Sequence, residues 1–173
     1  MDDYYHELTK EQYEILYNDD SNLNFDRPEA VNLEKMYETI VEVKNGHKKI
    51  SIPQFDTGSC VVSRYLEVPV NKYKYLIIEG VMIFCKEEIK NICNLKIWIE
   101  TNEYLCALRR FIKYTEEIKG YTSKYVYNQS VKFVIPGQEK YIKPHRTDCD
   151  IIINGEKLDI NLEIVLSYIL NKE

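Results

Sequence analysis

The sequence is missing several features that would place it in a membrane, outside the cell or in an oxidising compartment. Its 173 residues contain no apolar run of about 18 residues, the length that a membrane-spanning helix needs. The first five residues are acidic and aromatic and lack the basic and apolar regions of a signal peptide. The five cysteines are scattered and form no CxxC pair, so we expect free thiols. These absences predict a cytoplasmic protein.

Excess positive charge is also missing. The net charge is −5, whereas a nucleic-acid-binding protein needs a basic face to neutralise phosphates. We therefore expect no nucleic-acid partner. Neither repeats nor low-complexity linkers divide the chain, and 45% of its residues are apolar. This composition predicts one globular domain over residues 1–173 with a substantial hydrophobic core.

Short apolar runs alternate with segments of helical periodicity. Residues 76–78 and 151–153 form unbroken apolar runs, and residues 95–99 are apolar except for Lys96. The three runs predict parallel strands of one buried sheet. Extended segments at 49–55 and 63–70 flank a Thr-Gly-Ser turn and predict a β-hairpin. Helical spacing predicts helices over 31–44, 87–92, 104–118, 123–132 and 159–170. This order of elements is typical of an α/β fold.

Two carboxylates follow predicted strands. Glu79 comes after the run 76–78 and precedes Gly80, and Glu100 comes after the run 95–99. Ligands of parallel α/β proteins bind beyond the carboxyl ends of the strands, so we expect both carboxylates at one edge of the sheet. There, either could bind a metal or accept a proton. Each is equally explained as a solvated surface residue.

A basic cluster lies on the helix predicted over 104–118. Arg109, Arg110 and Lys113 occupy neighbouring positions three and four residues apart. Grouped cationic side chains of this kind can offset the charge of a transferring phosphoryl group. A solvated basic helix face explains the same pattern.

The loop 24–30, with the sequence NFDRPEA, places a carboxylate beside an aromatic ring. Asp26 could accept hydrogen bonds from a ribose diol while Phe25 packs on a base. The alternative is a helix N-terminus, with Asn24 or Asp26 as the capping residue and Pro28 in the first turn. Local sequence supports the two interpretations equally.

Six segments taken in order resemble the uridine/cytidine kinase family, which belongs to the P-loop phosphotransferases. They are residues 2–5 (DDYY), 24–30 (NFDRPEA), 52–56 (IPQFD), 77–81 (IIEGV), 108–110 (LRR), and 133–136 (FVIP) followed by Pro144 and 150–153 (DIII). The resemblance extends from Asp2 to about Leu170. It implies a parallel-sheet P-loop kinase-like domain in which the β-hairpin is an insertion that binds the nucleoside.

The resemblance implies a nucleoside site built from five residues. Tyr5, Phe25 and Phe55 would line the base pocket. Asp26 would bind the ribose hydroxyls with the help of Arg110. The ligand would be a pyrimidine nucleoside, uridine or cytidine.

The resemblance also implies residues for phosphate transfer from ATP. Asp2 would be the general base that takes the proton of the nucleoside 5′-hydroxyl. Glu79 would help to hold Mg²⁺ beside the phosphates. Arg109, Lys113 and Lys119 would lie near the phosphates, with the two lysines standing where the family usually has arginines.

The sequence departs from the family pattern in the phosphate-binding part. The GxxxxGK[ST] loop does not occur in the 173 residues, nor does the strand that leads into it. Residues 119–121 read Lys-Gly-Tyr where the family lid reads arginine-glycine-arginine, and Cys106 replaces another arginine. Cys60 or Val62 stands at the place of the histidine that reads the pyrimidine edge. We therefore expect the 173-residue polypeptide to lack kinase activity.

Three functions remain open on these grounds. The first is transfer of the ATP γ-phosphate to uridine or cytidine with Mg²⁺, a step of pyrimidine salvage. The second is a pseudoenzyme that binds nucleosides or pairs with a second copy or an intact kinase subunit. The third is a kinase with another acceptor, such as pantothenate or ribulose phosphate. The loop 24–30 and the hairpin favour a nucleoside over those acceptors.

Overall fold

The protein is described by a computed structural model that covers residues 1–118 and 120–171. Helices and strands alternate along most of the chain. The strands are β1 (Lys49–Asp56), β2 (Val61–Pro69), β3 (Ile97–Glu100) and β4 (Ile151–Asn154). The α-helices are α1 (Lys10–Glu14), α2 (Leu33–Lys44), α3 (Glu87–Ile92), α4 (Glu103–Ile112), α5 (Ser123–Gln129), α6 (Ile135–Gly137) and α7 (Leu158–Leu170).

The hairpin prediction is confirmed by β1 and β2, which pair antiparallel with Ile50 opposite Val68. A bulge between Gln54 and Phe55 shifts the register near the turn. The turn is held by the Asp56 carboxylate, which accepts hydrogen bonds from the Gly58 amide at 2.9 Å and the Ser59 hydroxyl at 2.7 Å. One oxygen of Asp56 therefore closes an Asx turn and the other restrains the next residue.

The predicted parallel sheet exists as a two-stranded pair. Ile97 lies opposite Ile151 and Ile99 opposite Ile153, and the pair is parallel. Strands β3 and β4 thus confirm the predictions for 95–99 and 151–153. The chain turns sharply after β4 at Gly155, where a Cβ atom would collide with the Thr101 hydroxyl.

The prediction of a third strand at 76–78 is wrong. These residues have no regular structure, and Ile77 is 89% exposed. In the part of the chain that the structure describes, no strand lies beside them, so their backbone has no sheet ladder to join. Instead, the Met1 ammonium group donates a hydrogen bond to the Glu79 carbonyl at 3.0 Å. Glu79 therefore does not mark a strand end as the sequence indicated.

The main core lies between α2, the N-terminal residues and α3. Helix α2 begins at Asn32, whose side chain accepts a hydrogen bond from the Lys35 amide at 2.9 Å. Leu33, Met36 and Ile40 share the buried face of this helix. They pack in one cluster with Tyr4, Val31, Met82, Ile83 and Ile89.

The later helices follow the predicted positions with two differences. Helix α4 ends at Ile112, and the chain continues through a widened π-type turn, Lys113–Glu117. Helix α7 has the predicted bounds to within one residue, but its apolar side chains are mostly at the surface: Val165 is buried, whereas Ile160 is 63% exposed. Among the described residues, no helix is long and apolar enough to cross a membrane.

The contrast between Ile89 and Ile77 gives a test of this arrangement. Ile89 is fully buried, so Ile89→Ala should lower the free energy of unfolding by about 2–5 kcal/mol through lost contacts and a residual cavity. Ile77→Ala, the control at an exposed site, should change it by less than about 0.5 kcal/mol. Urea denaturation measures both. A comparable loss in both variants would show that Ile77 is buried after all.

Candidate functional site

A two-pronged ion pair joins the loop before α2 to helix α4. Arg110 donates from Nη1 to Asp26 Oδ1 and from Nη2 to Asp26 Oδ2, both at 3.1 Å, across 84 residues of sequence. The side chains are only 29% and 21% exposed. The Asp26 amide donates to the Asn24 carboxamide oxygen at 2.9 Å, which shapes the loop around the carboxylate. The structure thus brings together two of the residues assigned to ribose binding.

Three aromatic rings form a wall beside this ion pair. The Tyr5 ring lies 6.2 Å from Phe25 in an edge-to-face arrangement and 6.0 Å from Phe55. The Tyr5 hydroxyl donates to the Phe25 carbonyl at 3.4 Å. Burial, followed by the nearby carboxylates of Asp26 and Asp2, raises the pKa of Tyr5 well above its ordinary value. The wall is therefore uncharged.

The N-terminal segment holds Tyr5 in this wall by a backbone bridge on one side and side-chain carboxylates on the other. On one side, Tyr5 forms a β-bridge with Val31. On the other, the Phe55 amide donates to Asp3 Oδ1 at 3.2 Å, and the Val62 amide donates to the Glu7 carboxylate at 2.7 Å. Residues 1–8 therefore run between the loop and the hairpin. A concavity of about 580 Å³ flanks this segment.

A cluster of tyrosines extends the aromatic surface on the far side of Arg110. The Arg110 guanidinium lies 5.1 Å from the centre of the Tyr114 ring, a cation–π distance. Tyr114 in turn contacts Tyr121, which packs against Tyr17 and Tyr125. Sequence reasoning did not assign these tyrosines to the site. The available signal was the unusual count of 15 tyrosines in the chain.

The remaining residues assigned from the resemblance lie at the surface. Asp2 is in a 3₁₀ turn, Asp2–Tyr4, and is exposed. Arg109 and Lys113 are also exposed, on α4 and just after it. Glu79 is 82% exposed and lies 3.6 Å from the Met1 ammonium group. Lys119 lies outside the described residues.

The predicted metal-binding side chain of the site is that of Glu79. Among the described residues, no group of three or more His, Cys, Asp or Glu side chains could hold a metal ion. Protein sites for Mg²⁺ commonly use one or two carboxylates, with water and phosphate oxygens completing the shell. Glu79 could supply one such carboxylate, but the described residues do not form a metal site by themselves.

The comparison with protein families places this chain. Residues 1–159 match the model of the Phosphoribulokinase / Uridine kinase family, and the chain belongs to that family. It is 30% identical to Uridine kinase-like protein 5 of Arabidopsis thaliana over 175 aligned residues. The alignment covers 99% of this chain and 36% of the relative. It is 33% identical over 155 residues to Uridine-cytidine kinase A of Dictyostelium discoideum, covering 88% of this chain and 29% of the relative.

A bacterial relative is shorter. The chain is 28% identical to a uridine kinase of Clostridium novyi over 170 aligned residues. The alignment covers 98% of this chain and 78% of the relative. The chain therefore spans about a third of the length of the two eukaryotic relatives, at 36% and 29%, and most of the bacterial one.

The ion pair can be tested through a double-mutant cycle. Asp26→Asn and Arg110→Met should each destabilise the protein, and the coupling energy of the pair should be about 1–3 kcal/mol because the contact is two-pronged and partly buried. The control cycle uses Lys35 and Glu38, which are 44% and 53% exposed and should couple by less than about 0.5 kcal/mol. Equal coupling in the two cycles, measured by urea denaturation, would contradict this account.

The tyrosine cluster predicts an alkaline loss of stability. Burial raises the pKa of Tyr125 from 10.0 to about 12, so its neutral form is favoured in the folded protein. Its contribution is complete below pH 10 and is lost as pH rises towards 12, because the unfolded chain releases the proton first. Denaturation curves across this range should show a shallower decline for Tyr125→Phe. Tyr127→Phe, at a ring that is 64% exposed, should keep the wild-type decline.

Proposed function

We propose that this member of the uridine kinase family binds a pyrimidine nucleoside, uridine or cytidine, between the Asp26–Arg110 pair and the ring wall. The two-pronged ion pair is the observation that carries the proposal. A carboxylate fixed in this way keeps lone pairs for the two hydroxyls of a ribose, while the guanidinium holds its orientation. Tyr5, Phe25 and Phe55 offer ring faces and edges to the base.

The reaction proposed for the whole protein is phosphorylation of the nucleoside 5′-hydroxyl by ATP. Asp2 would accept the hydroxyl proton, and its position three residues before Tyr5 in the chain, at the start of the segment that carries the ring wall, supports that role. Arg109, Lys113 and Lys119 would offset phosphate charge. Glu79 would be the ligand from this chain for Mg²⁺, which would supply neutralisation of the phosphate charge. The names of the relatives support this reaction class.

A second candidate function is nucleoside binding without transfer, alone or beside an intact kinase subunit. Catalysis of phosphoryl transfer consists almost entirely of positioning and charge stabilisation of the phosphates. The exposure of Glu79, Arg109 and Lys113 favours binding without transfer, since none of them is held in a fixed phosphate site. Turnover by a polypeptide that also binds uridine would favour transfer.

Calorimetry tests the binding half. The 173-residue polypeptide should bind uridine with measurable heat. Asp26→Ala should weaken binding by about tenfold or more because both acceptors for the diol are removed and only the contacts with the base remain. Asp20→Ala, which removes an exposed carboxylate from the preceding loop, is the matched control and should bind like the wild type. Absence of uridine and cytidine binding in the wild type would refute the proposal.

A coupled kinase assay tests the transfer half. The same polypeptide should show no ATP-dependent phosphorylation of uridine, because it has no phosphate-binding loop among its 173 residues. Turnover above the blank that is lost in Asp2→Asn would instead favour the first candidate, with Asp2 as the general base.

A further inference from the structure

The loop that carries Asp26 rests on the helical run 123–142, which begins with α5 and includes Gln129 and Gly137. The backbone carbonyl of Asp26 approaches Gly137 so closely that a Cβ atom on this glycine would lie 2.5 Å from the carbonyl oxygen. Gly137 is buried. The obstructing atom belongs to the backbone and not to the end of a flexible side chain. A side chain at position 137 could therefore fit only if the Asp26 backbone moved.

The same run holds the start of the loop through a buried hydrogen bond. Gln129, which is 5% exposed, donates from Nε2 to the Ser21 carbonyl at 3.0 Å. Ser21 is also 5% exposed, and its hydroxyl accepts a hydrogen bond from the Leu23 amide at 3.3 Å. Residues 21–26 are thus fixed at one end by Gln129 and at the other by Gly137.

The backbone on both sides of Gly137 is irregular. The π-type turns Ser130–Val134 and Gln138–Ile142 flank α6, which ends at Gly137. Widened turns of this kind alter the direction in which a helix presents its residues and often occur at functional sites. Here they flank the glycine whose backbone lies against the Asp26 carbonyl.

We propose that Gly137 and Gln129 are positioning residues that set the selectivity of the site for a ribose diol, acting through the placement of Asp26. This inference rests on the proposed nucleoside site. Neither residue needs to touch the ligand. A displacement of the Asp26 backbone by a few tenths of an ångström would disturb both the contact with Arg110 and the alignment of the carboxylate with two hydroxyls, which demands close geometry.

The distinguishing measurement compares uridine with 2′,3′-dideoxyuridine, which keeps the base and lacks the diol. The ratio of the two dissociation constants, measured by calorimetry, isolates the contribution of Asp26 to the diol. The wild type should prefer uridine. In Gly137→Ala this preference should fall by about tenfold, the equivalent of one good charge-assisted hydrogen bond, while dideoxyuridine affinity changes little. In an Asp26→Asn background, Gly137→Ala should leave the ratio unchanged.

Gly58→Ala is the matched control for the glycine substitution. A Cβ atom there would meet Asp56 Oδ1 at 3.4 Å, an ordinary contact, so the selectivity ratio should stay at the wild-type value. Gln129→Met keeps the length of the side chain and removes the donor to Ser21. It should also lower the ratio, and it decides the question if Gly137→Ala does not fold.

The outcomes separate the inference from the function on which it rests. A wild type that binds neither nucleoside refutes both. A wild type that prefers uridine, together with folded variants that keep this preference, refutes the positioning role alone. Equal weakening of both nucleosides in Gly137→Ala and Gln129→Met would show a general packing role and would likewise overturn the inference.

Discussion

The contact between Asp26 and Arg110 is the interaction on which the arrangement of the site depends. It joins a loop near the N-terminal end to helix α4 across 84 residues, so that segments distant in sequence meet at one site. A partly buried ion pair must recover the cost of removing two charges from water. Two parallel hydrogen bonds of 3.1 Å and the ring of Tyr114 beneath the guanidinium supply that compensation.

The surroundings of the pair contribute by remaining uncharged. Burial raises the pKa of Tyr5 well above its ordinary value and that of Tyr125 to about 12, which keeps these two phenol groups neutral. An ionised phenol beside Asp26 would repel the carboxylate and compete for Arg110. These neutral rings therefore protect the charge balance of the pair, and under the proposed function the aromatic wall would also provide ring surface for a base. Tyr5 and Tyr125 therefore contribute both packing contacts and an uncharged environment.

Sequence reasoning predicted the elements whose signals are local. The hairpin and α3 follow from turn residues and periodicity within short windows, and both were confirmed. The run 76–78 shows the limit of such patterns, because an apolar run indicates burial without indicating a neighbouring strand. The approach of Gly137 to Asp26 could not be predicted, since it depends on where the chain returns after α5. The pairing of Asp26 with Arg110 was expected only from the order of the family segments.

Helix α4 shows why the proposed nucleoside binding and the proposed phosphate transfer would be physically separable. Adjacent residues on a helix point about 100° apart, so Arg110 faces inward to Asp26 while Arg109 faces solvent. The inward guanidinium is already oriented and needs no rearrangement when a ligand arrives. The outward one must give up water and side-chain freedom to meet a phosphate. Under the proposed function, the described residues would present a preorganised ribose clamp beside a phosphate side whose cationic groups still have to be ordered.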